Sequence, residues 1–544
     1  MNRSHNLHRL QEDQYDICII GGGASGTGCA LDAALRGYKV ALIEKTDFAS
    51  ETSSRSTKLI HGGVRYLEQA FRNLDLAQLK QVRHGLEERH IVLKNAPHLA
   101  RPLALLTPVS SWFDGVYFSI GLWLYDLFAQ QDSLPKSKWL SKQEVLRRMP
   151  TLDPNKLHSA VLYYDGQLDD ARYCLALAQS AQEAGATVVN HASVVEFEKE
   201  PGGRLTAAHI KDEIGGSTYT VKANVFVNCT GPYSDHIRLL ANPDLPRRIR
   251  PSKGVHIVLP REVLQSEDAM LIPKTSDGRV VFAIPFGDEL LVGTTDTEYN
   301  QLEEEPLLNK REVDFLLSTL NPYLSTTPRP EQIRSGFGGL RPLLAADPRK
   351  ATKRLTRDHE VEHDPASNLV SLLGGKWTTY RLMAKDTLDE VDKLLGQEHP
   401  CRTDEYVLTG GDGYQPDGWK KLQKETQLPE DICRHLSKTY GSRAEKVTEL
   451  VQSNPTLGKR LVPRYPFIRA EVVYATQYEM AVTPRDVLAR RMRLEILSWE
   501  DTLACLPVVA DLMASALGWS VATRQRMADT YAAQLTLFIQ EATV

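Results

Sequence analysis

At 544 residues the chain is long enough for two to four domains with ample core, and 42% apolar with 25% charged residues describe a soluble globular protein. A formal net charge of -4 gives no electrostatic footprint for nucleic acid, so no nucleic-acid partner is expected. Seven cysteines (Cys18, Cys29, Cys174, Cys229, Cys401, Cys433, Cys505) are scattered and never paired as C-x-x-C, which argues against a zinc or iron–sulfur centre, leaves no metal site expected, and favours a reducing compartment.

In chain order, the opening MNRSHNLHRLQEDQ lacks the apolar core of a signal peptide, and no targeting segment is expected. Residues 15–45, YDICIIGGGASGTGCALDAALRGYKVALIEK, then place an apolar run before Gly21-x-Gly23-x-x-Gly26, a small-residue helix closed by Gly37, and a second apolar run ending in Glu44. The spacing predicts a βαβ dinucleotide unit. Gly21 allows the tight turn, Gly23 lets the backbone approach a pyrophosphate, Gly26 lets the helix lie close to the sheet, and Glu44 suits a ribose hydroxyl. An acid there disfavours NADP and leaves NAD and FAD open.

The next segment, SSRSTKLIHGGVRYLE (53–68), packs three basic side chains, a histidine and a Gly-Gly kink into sixteen positions and reads as the holder of an anion. GVYFSIGLWLY (115–125), bounded by Asp114 and Asp126, is too short to cross a bilayer and reads as a buried helix, or else as an interfacial patch. The βα alternation does not continue as an NAD domain would require. Instead, sheet-like pieces return at long intervals: GATVVNHASVVEF (185–197) as a strand pair, NVFVNCTGP (224–232) as a strand and turn, and SLLGGKWTTYR (371–381) as a strand, a turn and a helix start. Between them, 251–300 alternates as an antiparallel sheet expected to roof a flavin. From 401 onward the pattern is amphipathic at helical spacing, with Thr483-Pro484 and Asp486 as a helix start. The basic face of that helix (Arg485, Arg490, Arg491, Arg493) reads first as solvated, with contact to anionic lipid or to the flavin domain as alternatives.

Taken together and in this order, the glycine fingerprint, TSSRSTKLIHGGVRYLE, VNCTGPYSD, KGVHIVLP, GTTD, GLRPL and LLGGKWTTYR resemble the FAD-dependent glycerol-3-phosphate dehydrogenases over essentially the whole chain. One departure is Tyr233, where that family usually has Trp after TGP. The resemblance implies an α/β fold: an FAD-binding Rossmann-like domain of the glutathione-reductase/D-amino-acid-oxidase type (14–100, 160–235, 355–395), inserted antiparallel β substrate-binding segments (101–159, 236–354) and an all-α C-terminal domain (401–544). It implies FAD as cofactor, sn-glycerol 3-phosphate as substrate, ubiquinone or menaquinone as electron acceptor, and peripheral attachment to the cytoplasmic side of a bacterial inner membrane, with a homodimer as a possible assembly. A glycerol-3-phosphate oxidase using oxygen, an amine or hydroxy-acid oxidase of the same fold, and a non-catalytic flavin-binding protein remain alternatives.

Oxidation of a secondary alcohol needs a hydride acceptor, here the flavin N5, a base for the hydroxyl proton and a cationic pocket for the phosphate. The resemblance assigns the base to His256, on a strand whose alternation puts it on one face with Gly254 and Val258. Arg341, Arg357, Arg65 and Tyr66 fall to the substrate. Lys376, after Gly374-Gly375 at a helix start, falls to the flavin pyrimidine edge or to the substrate phosphate. Contacts to FAD fall to Gly21, Gly23, Ala24, Ser25, Gly26, Glu44, Lys45, Thr52, Ser53, Leu59, His61, Gly62, Gly63, Val194, Gly231, Gly375, Trp377 and Thr378. Lys58 is expected to neutralise the pyrophosphate or the flavin.

Overall fold

Ile17 to Ile20 are buried without a break, because the strand Gln14–Ile20 runs parallel to Val40–Ile43 on one side and Thr218–Asn228 on the other and is covered on both faces. Ile17 and Ile19 pack with Ala30 and Ala33 of the helix Ala24–Leu35, whereas Cys18 and Ile20 pack with Leu7 and Leu10 of the N-terminal helix Arg3–Glu12. The computed structural model describes residues 1–61, 76–111, 134–273, 275, 279–345 and 359–543. Gly62, Gly63, Arg65, Tyr66, Arg357 and the apolar run 115–125 lie outside the described residues.

Two sheets organise the described residues. The eight-stranded one has the order His359–Asp364, Leu369–Gly374, Thr218–Asn228, Gln14–Ile20, Val40–Ile43, Thr187–Val189, with Ala192–Lys199 and Leu205–Asp212 attached through Thr218–Asn228. The returning segments thus rejoin the nucleotide unit as expected. The ten-stranded sheet is built on Ile249–Pro260, which pairs antiparallel with Ser335–Leu344 and with Glu289–Gly293.

The boundary expected at 160 needs correction. Ser159–Leu168 pairs antiparallel with Ala100–Val109 and lies in the ten-stranded sheet, and Leu59–Ile60 pairs with it in turn. Its residues are buried almost throughout, the burial a strand of either sheet would show, so its pattern does not reveal which sheet it joins. The consequence is mechanical: the basic segment hangs from the second sheet at Leu59–Ile60 and from the nucleotide unit at its other end.

The C-terminal region is helical, and it serves two cores. Trp419–Thr426, Glu430–Tyr440, Ala444–Ser453 and Arg469–Tyr478 gather Leu422, Ile432, Leu436, Val447 and Tyr474 into a cluster of their own. Trp499–Leu517 and Val521–Thr543 instead bury Leu506, Val509, Leu535 and Phe538 with Ile257, Leu290 and Val292 of the second sheet. No helix among the described residues is long and apolar enough to cross a membrane.

The helix start at Thr483 forms as expected: Thr483 Oγ1 accepts from Asp486 N at 3.2 Å, and Asp486 Oδ2 accepts from Val482 N and Thr483 N, both at 2.9 Å. The solvated basic face does not. Arg490, Arg491 and Arg493 are 7%, 1% and 4% exposed, on and just after the π-helical turn Asp486–Arg491. Arg490 donates to Asp47 and to Asp486, each at 2.5 Å, and Arg491 also pairs with Asp47. Asp47 stands 443 and 444 positions from Arg490 and Arg491, a spacing that no local window of sequence displays, whereas Asp486 lies four residues before Arg490. Contact with the flavin domain, named above as an alternative, is what the structure shows.

Arg485 pairs with Glu305 at 2.7 Å, and Arg55 reaches the same carboxylate at 2.5 Å. Burial alone would raise the Glu305 pKa, but the two guanidiniums hold it well below its usual 4.5. Its stabilising effect is therefore complete above about pH 4.5 and is lost as the pH falls below that. Glu305→Gln is expected to melt below the parent at pH 7, the gap narrowing as a series of melts moves to acid pH; a constant gap would contradict this.

Candidate active site

The glycine turn makes a cradle rather than a plain connection. Gly21 adopts φ +111°, and a Cβ on Gly26 would collide with Gly21 O, so the helix start and the strand end approach as closely as backbone permits. Helix Ala24–Leu35 begins at Gly23 with no side-chain cap, which leaves first-turn amides for an anion. Ser53 Oγ accepts from Ala24 N at 2.9 Å, and Ser53 O accepts from Trp377 Nε1 at 3.0 Å, so one residue ties Ala24 to the Trp377–Thr379 turn.

Glu44 accepts from Gly22 N at 2.6 Å, Thr46 N at 2.8 Å and Thr46 Oγ1 at 3.0 Å. A carboxylate offers about four acceptor sites, so capacity for a ribose hydroxyl remains. Burial raises the Glu44 pKa, while the two amides pull the other way. Ala192 N donates to Glu44 O at 2.8 Å, which brings the strand carrying Val194 beside this turn; Lys45 is exposed. Gly231 follows Thr218–Asn228 at φ +55°, and Gly375 precedes Lys376 at φ +87°. The cradle, the acid and the Ser53 clamp fit an FAD: Gly21 to Gly26 would hold its pyrophosphate, Glu44 its ribose, and the Thr52–Lys58 loop with Trp377 and Thr378 its ring end.

The second sheet carries His256 and Arg341, the residues expected to act on the substrate. His256, on Ile249–Pro260, is 2% exposed and stacks on Phe337 with ring centroids 4.9 Å apart. Its register partner is Gly293, where a Cβ would collide with the imidazole, and the Arg341 guanidinium likewise occupies the space a side chain on Gly254 would need. His256 and Arg341 thus share one face of the sheet, because Arg341 pairs with Ser252, four residues before His256 on its strand. Arg341 Nη2 donates to Thr294 Oγ1 and Thr295 O, both at 3.0 Å, and its Nη1 lies 3.8 Å from Asp296. Burial first, then Lys58 and Arg341, push the His256 pKa well below 6.5, so the ring is neutral at physiological pH.

Lys58 departs from its expected role. Its Nζ donates to Asp170 at 2.6 Å and to Ser54 O at 2.5 Å and lies 4.9 Å from the Phe337 centroid. Burial pushes its pKa down to about 8 against the pull of Asp170. The ammonium organises the loop instead of standing ready as a counter-charge for a phosphate. Thr52 Oγ1 donates to Leu340 O at 2.7 Å, Leu59 sits in its short strand, and His61 is exposed. Thr57, Phe337 and Asp170 were not singled out by sequence, and Arg493 was read only as part of a basic helix face. Asp170 sits beside the N-cap Asp169 in LDDAR and reads there as an ordinary first-turn acid, although it is wholly buried.

A dinucleotide cradle whose mainly parallel central strands are interrupted by a second, mainly antiparallel sheet is the architecture of the FAD-dependent oxidoreductases, and residues 16–389 match that family. Residues 401–524 match the C-terminal domain of alpha-glycerophosphate oxidase. The chain is 40% identical over 543 residues to a mitochondrial glycerol-3-phosphate dehydrogenase of Rattus norvegicus, covering 97% of this chain and 74% of the relative. It is 41% identical to that of Arabidopsis thaliana, covering 93% and 84%. Among solved structures, the glycerol-3-phosphate dehydrogenase of Bacillus halodurans complexed with FAD superposes with a TM-score of 0.80 at 28% identity, covering 98% of this chain and 96% of that one. This chain belongs to the FAD-dependent glycerol-3-phosphate dehydrogenases.

Proposed function

We propose that this chain binds FAD, oxidises sn-glycerol 3-phosphate to dihydroxyacetone phosphate, and passes the electrons to a membrane quinone, ubiquinone or menaquinone. The observation that carries the reading is the buried neutral His256 beside Arg341 on the face of the inserted sheet. The reaction removes a hydride from the carbinol carbon and a proton from its oxygen. Bound FAD supplies the two-electron acceptor. His256 takes the proton, Arg341 holds the phosphate with a planar two-donor fork, and Lys376, at the start of the Trp377–Thr379 turn, supports negative charge at the reacting end of the site. Because Lys58 and Arg341 depress the base, a phosphate dianion arriving at Arg341 offsets part of that depression and strengthens His256 only when substrate is present. Arg65, Tyr66 and Arg357 complete the phosphate pocket in this reading.

The test is an anaerobic titration of the FAD-loaded protein with sn-glycerol 3-phosphate, followed by visible absorption, with glycerol as control. Bleaching by the phosphate ester alone supports the cofactor, the reaction and the cationic pocket together; no bleaching of a fully loaded protein removes the substrate assignment. Oxygen as acceptor is a second reading, favoured by the match of 401–524 to an oxidase domain, and stoichiometric hydrogen peroxide in air would select it over quinone. For location we infer a peripheral association with the cytoplasmic face of a bacterial inner membrane. High salt or detergent is expected to release the protein from membranes, and behaviour as a freely soluble protein with no affinity for lipid vesicles would count against quinone coupling.

A further inference from the structure

We propose that Thr57 is a positioning residue for His256, fixing which imidazole nitrogen is the base, and that Asp170 and Arg493 hold the loop that presents it. This rests on the assignment of His256 as base. His256 Nε2 lies 3.1 Å from Thr57 Oγ1, whereas the buried Nδ1 finds no partner among the described residues. A buried N–H without an acceptor costs more than a bare lone pair, and the charged groups facing the ring are cations: Lys58 from the loop and Arg341 from Ser335–Leu344. The unpartnered Nδ1 selects the tautomer in which Nε2–H donates to Thr57 and Nδ1 keeps its lone pair, and the two cations keep the ring from taking a second proton before substrate arrives. Nδ1 is then the proton acceptor, and the proton it takes strengthens the Nε2–H···Oγ1 bond.

The hydroxyl can do this because its loop is fastened at every neighbouring residue. Asp170 Oδ2 accepts from Ser56 N at 3.0 Å, Ser56 Oγ at 2.7 Å and Lys58 Nζ at 2.6 Å. Asp170 Oδ1 accepts from Arg493 at 2.8 Å, and Arg493 also donates to Ser54 O at 3.0 Å. A residue of the C-terminal helical region thereby touches the backbone of the loop that aims the base directly, at Ser54, and again through Asp170. Asp169, 3.2 Å from Arg493, and Asp296, 3.8 Å from Arg341, lie one contact further out.

The test uses FAD-loaded full-length protein and the variants Thr57→Val, Thr57→Ser, Ser56→Ala and Arg493→Lys. Because Thr57 accepts a hydrogen bond from the protonated ring, its loss lowers the His256 pKa further. The acid limb of the kcat/KM profile for sn-glycerol 3-phosphate is expected to move to lower pH in Thr57→Val, with kcat falling about tenfold while substrate Kd and FAD content stay near the parent's. Thr57→Ser should restore both. Ser56→Ala and Arg493→Lys should move the limb the same way but by less, and neither should add to Thr57→Val. Ser56→Ala decides this point if Arg493→Lys fails to load FAD. In protein labelled with 15N-histidine, the parent should show a protonated Nε2 and a bare Nδ1 at His256, and Thr57→Val a mixture.

An unmoved acid limb in Thr57→Val, a bare Nε2 in the parent, or simple additivity overturns the proposal. A His256→Gln variant separates this from the underlying reading. If it reduces flavin at the parental rate, His256 is not the base; if it is slow while Thr57→Val is normal, the base stands and only the positioning fails.

Discussion

His256→Gln is expected to reduce bound flavin with sn-glycerol 3-phosphate about 10^2 to 10^4 times more slowly than the parent, the range a positioned general base supplies. Glutamine keeps much of the imidazole's volume against Phe337 and Gly293, so the sheet should survive and FAD content should be unchanged. The loss should fall on the rate of bleaching in stopped flow and not on substrate affinity. It should shrink at high pH, where hydroxide and water replace the missing base. An equal rate at pH 7 would remove His256 from the chemistry.

Arg341→Ala is expected to weaken substrate binding by about 30- to 4,000-fold, since truncating one partner of a hydrogen-bonded charge pair costs about 2–5 kcal/mol. FAD should remain bound, because the cradle at Gly21 to Gly26 lies on the other sheet. There is a second, opposite consequence. Arg341 is one of the two cations that depress His256, so its removal raises the histidine's pKa and moves the acid limb of any residual activity to higher pH. Arg341→Lys keeps the charge but not the fork, and should leave the limb in place while binding remains impaired. Unchanged affinity for the phosphate ester in Arg341→Ala would show that the phosphate is held elsewhere.

The nucleotide unit was legible because its information is local. A left-handed glycine, a close approach and two apolar runs lie within about thirty residues, and the structure builds Gly21 to Glu44 as that pattern requires. His256 was expected on one face with Gly254 and Val258, whereas Arg341 was expected after a glycine-rich turn; its place on the same face comes from the pairing of Ser335–Leu344 with Ile249–Pro260. What sequence could not show was pairing at a distance. Lys58 was expected to neutralise the pyrophosphate or the flavin because it stands in the basic segment before Gly62-Gly63, while the carboxylate it pairs with, Asp170, stands 112 positions away. Thr57 carries no signature of its own; a hydroxyl in a Ser/Thr-rich loop looks like every other until the ring it touches is in place. The arginines at 485–493 looked solvated for the same reason: charge is read from sequence, but burial against a remote carboxylate is not.

Asp47 is buried, and Arg490 and Arg491, the guanidiniums paired with it, are encoded 443 and 444 positions later. A chain leaves the ribosome from its N-terminus, so during synthesis the nucleotide unit exists for a long interval with this carboxylate still wanting water. The loop that carries Thr57 is likewise fastened at Asp170 by a side chain from residue 493. The strands of the first sheet are all made by residue 374, whereas the fastening of this loop needs residue 493, more than a hundred positions later.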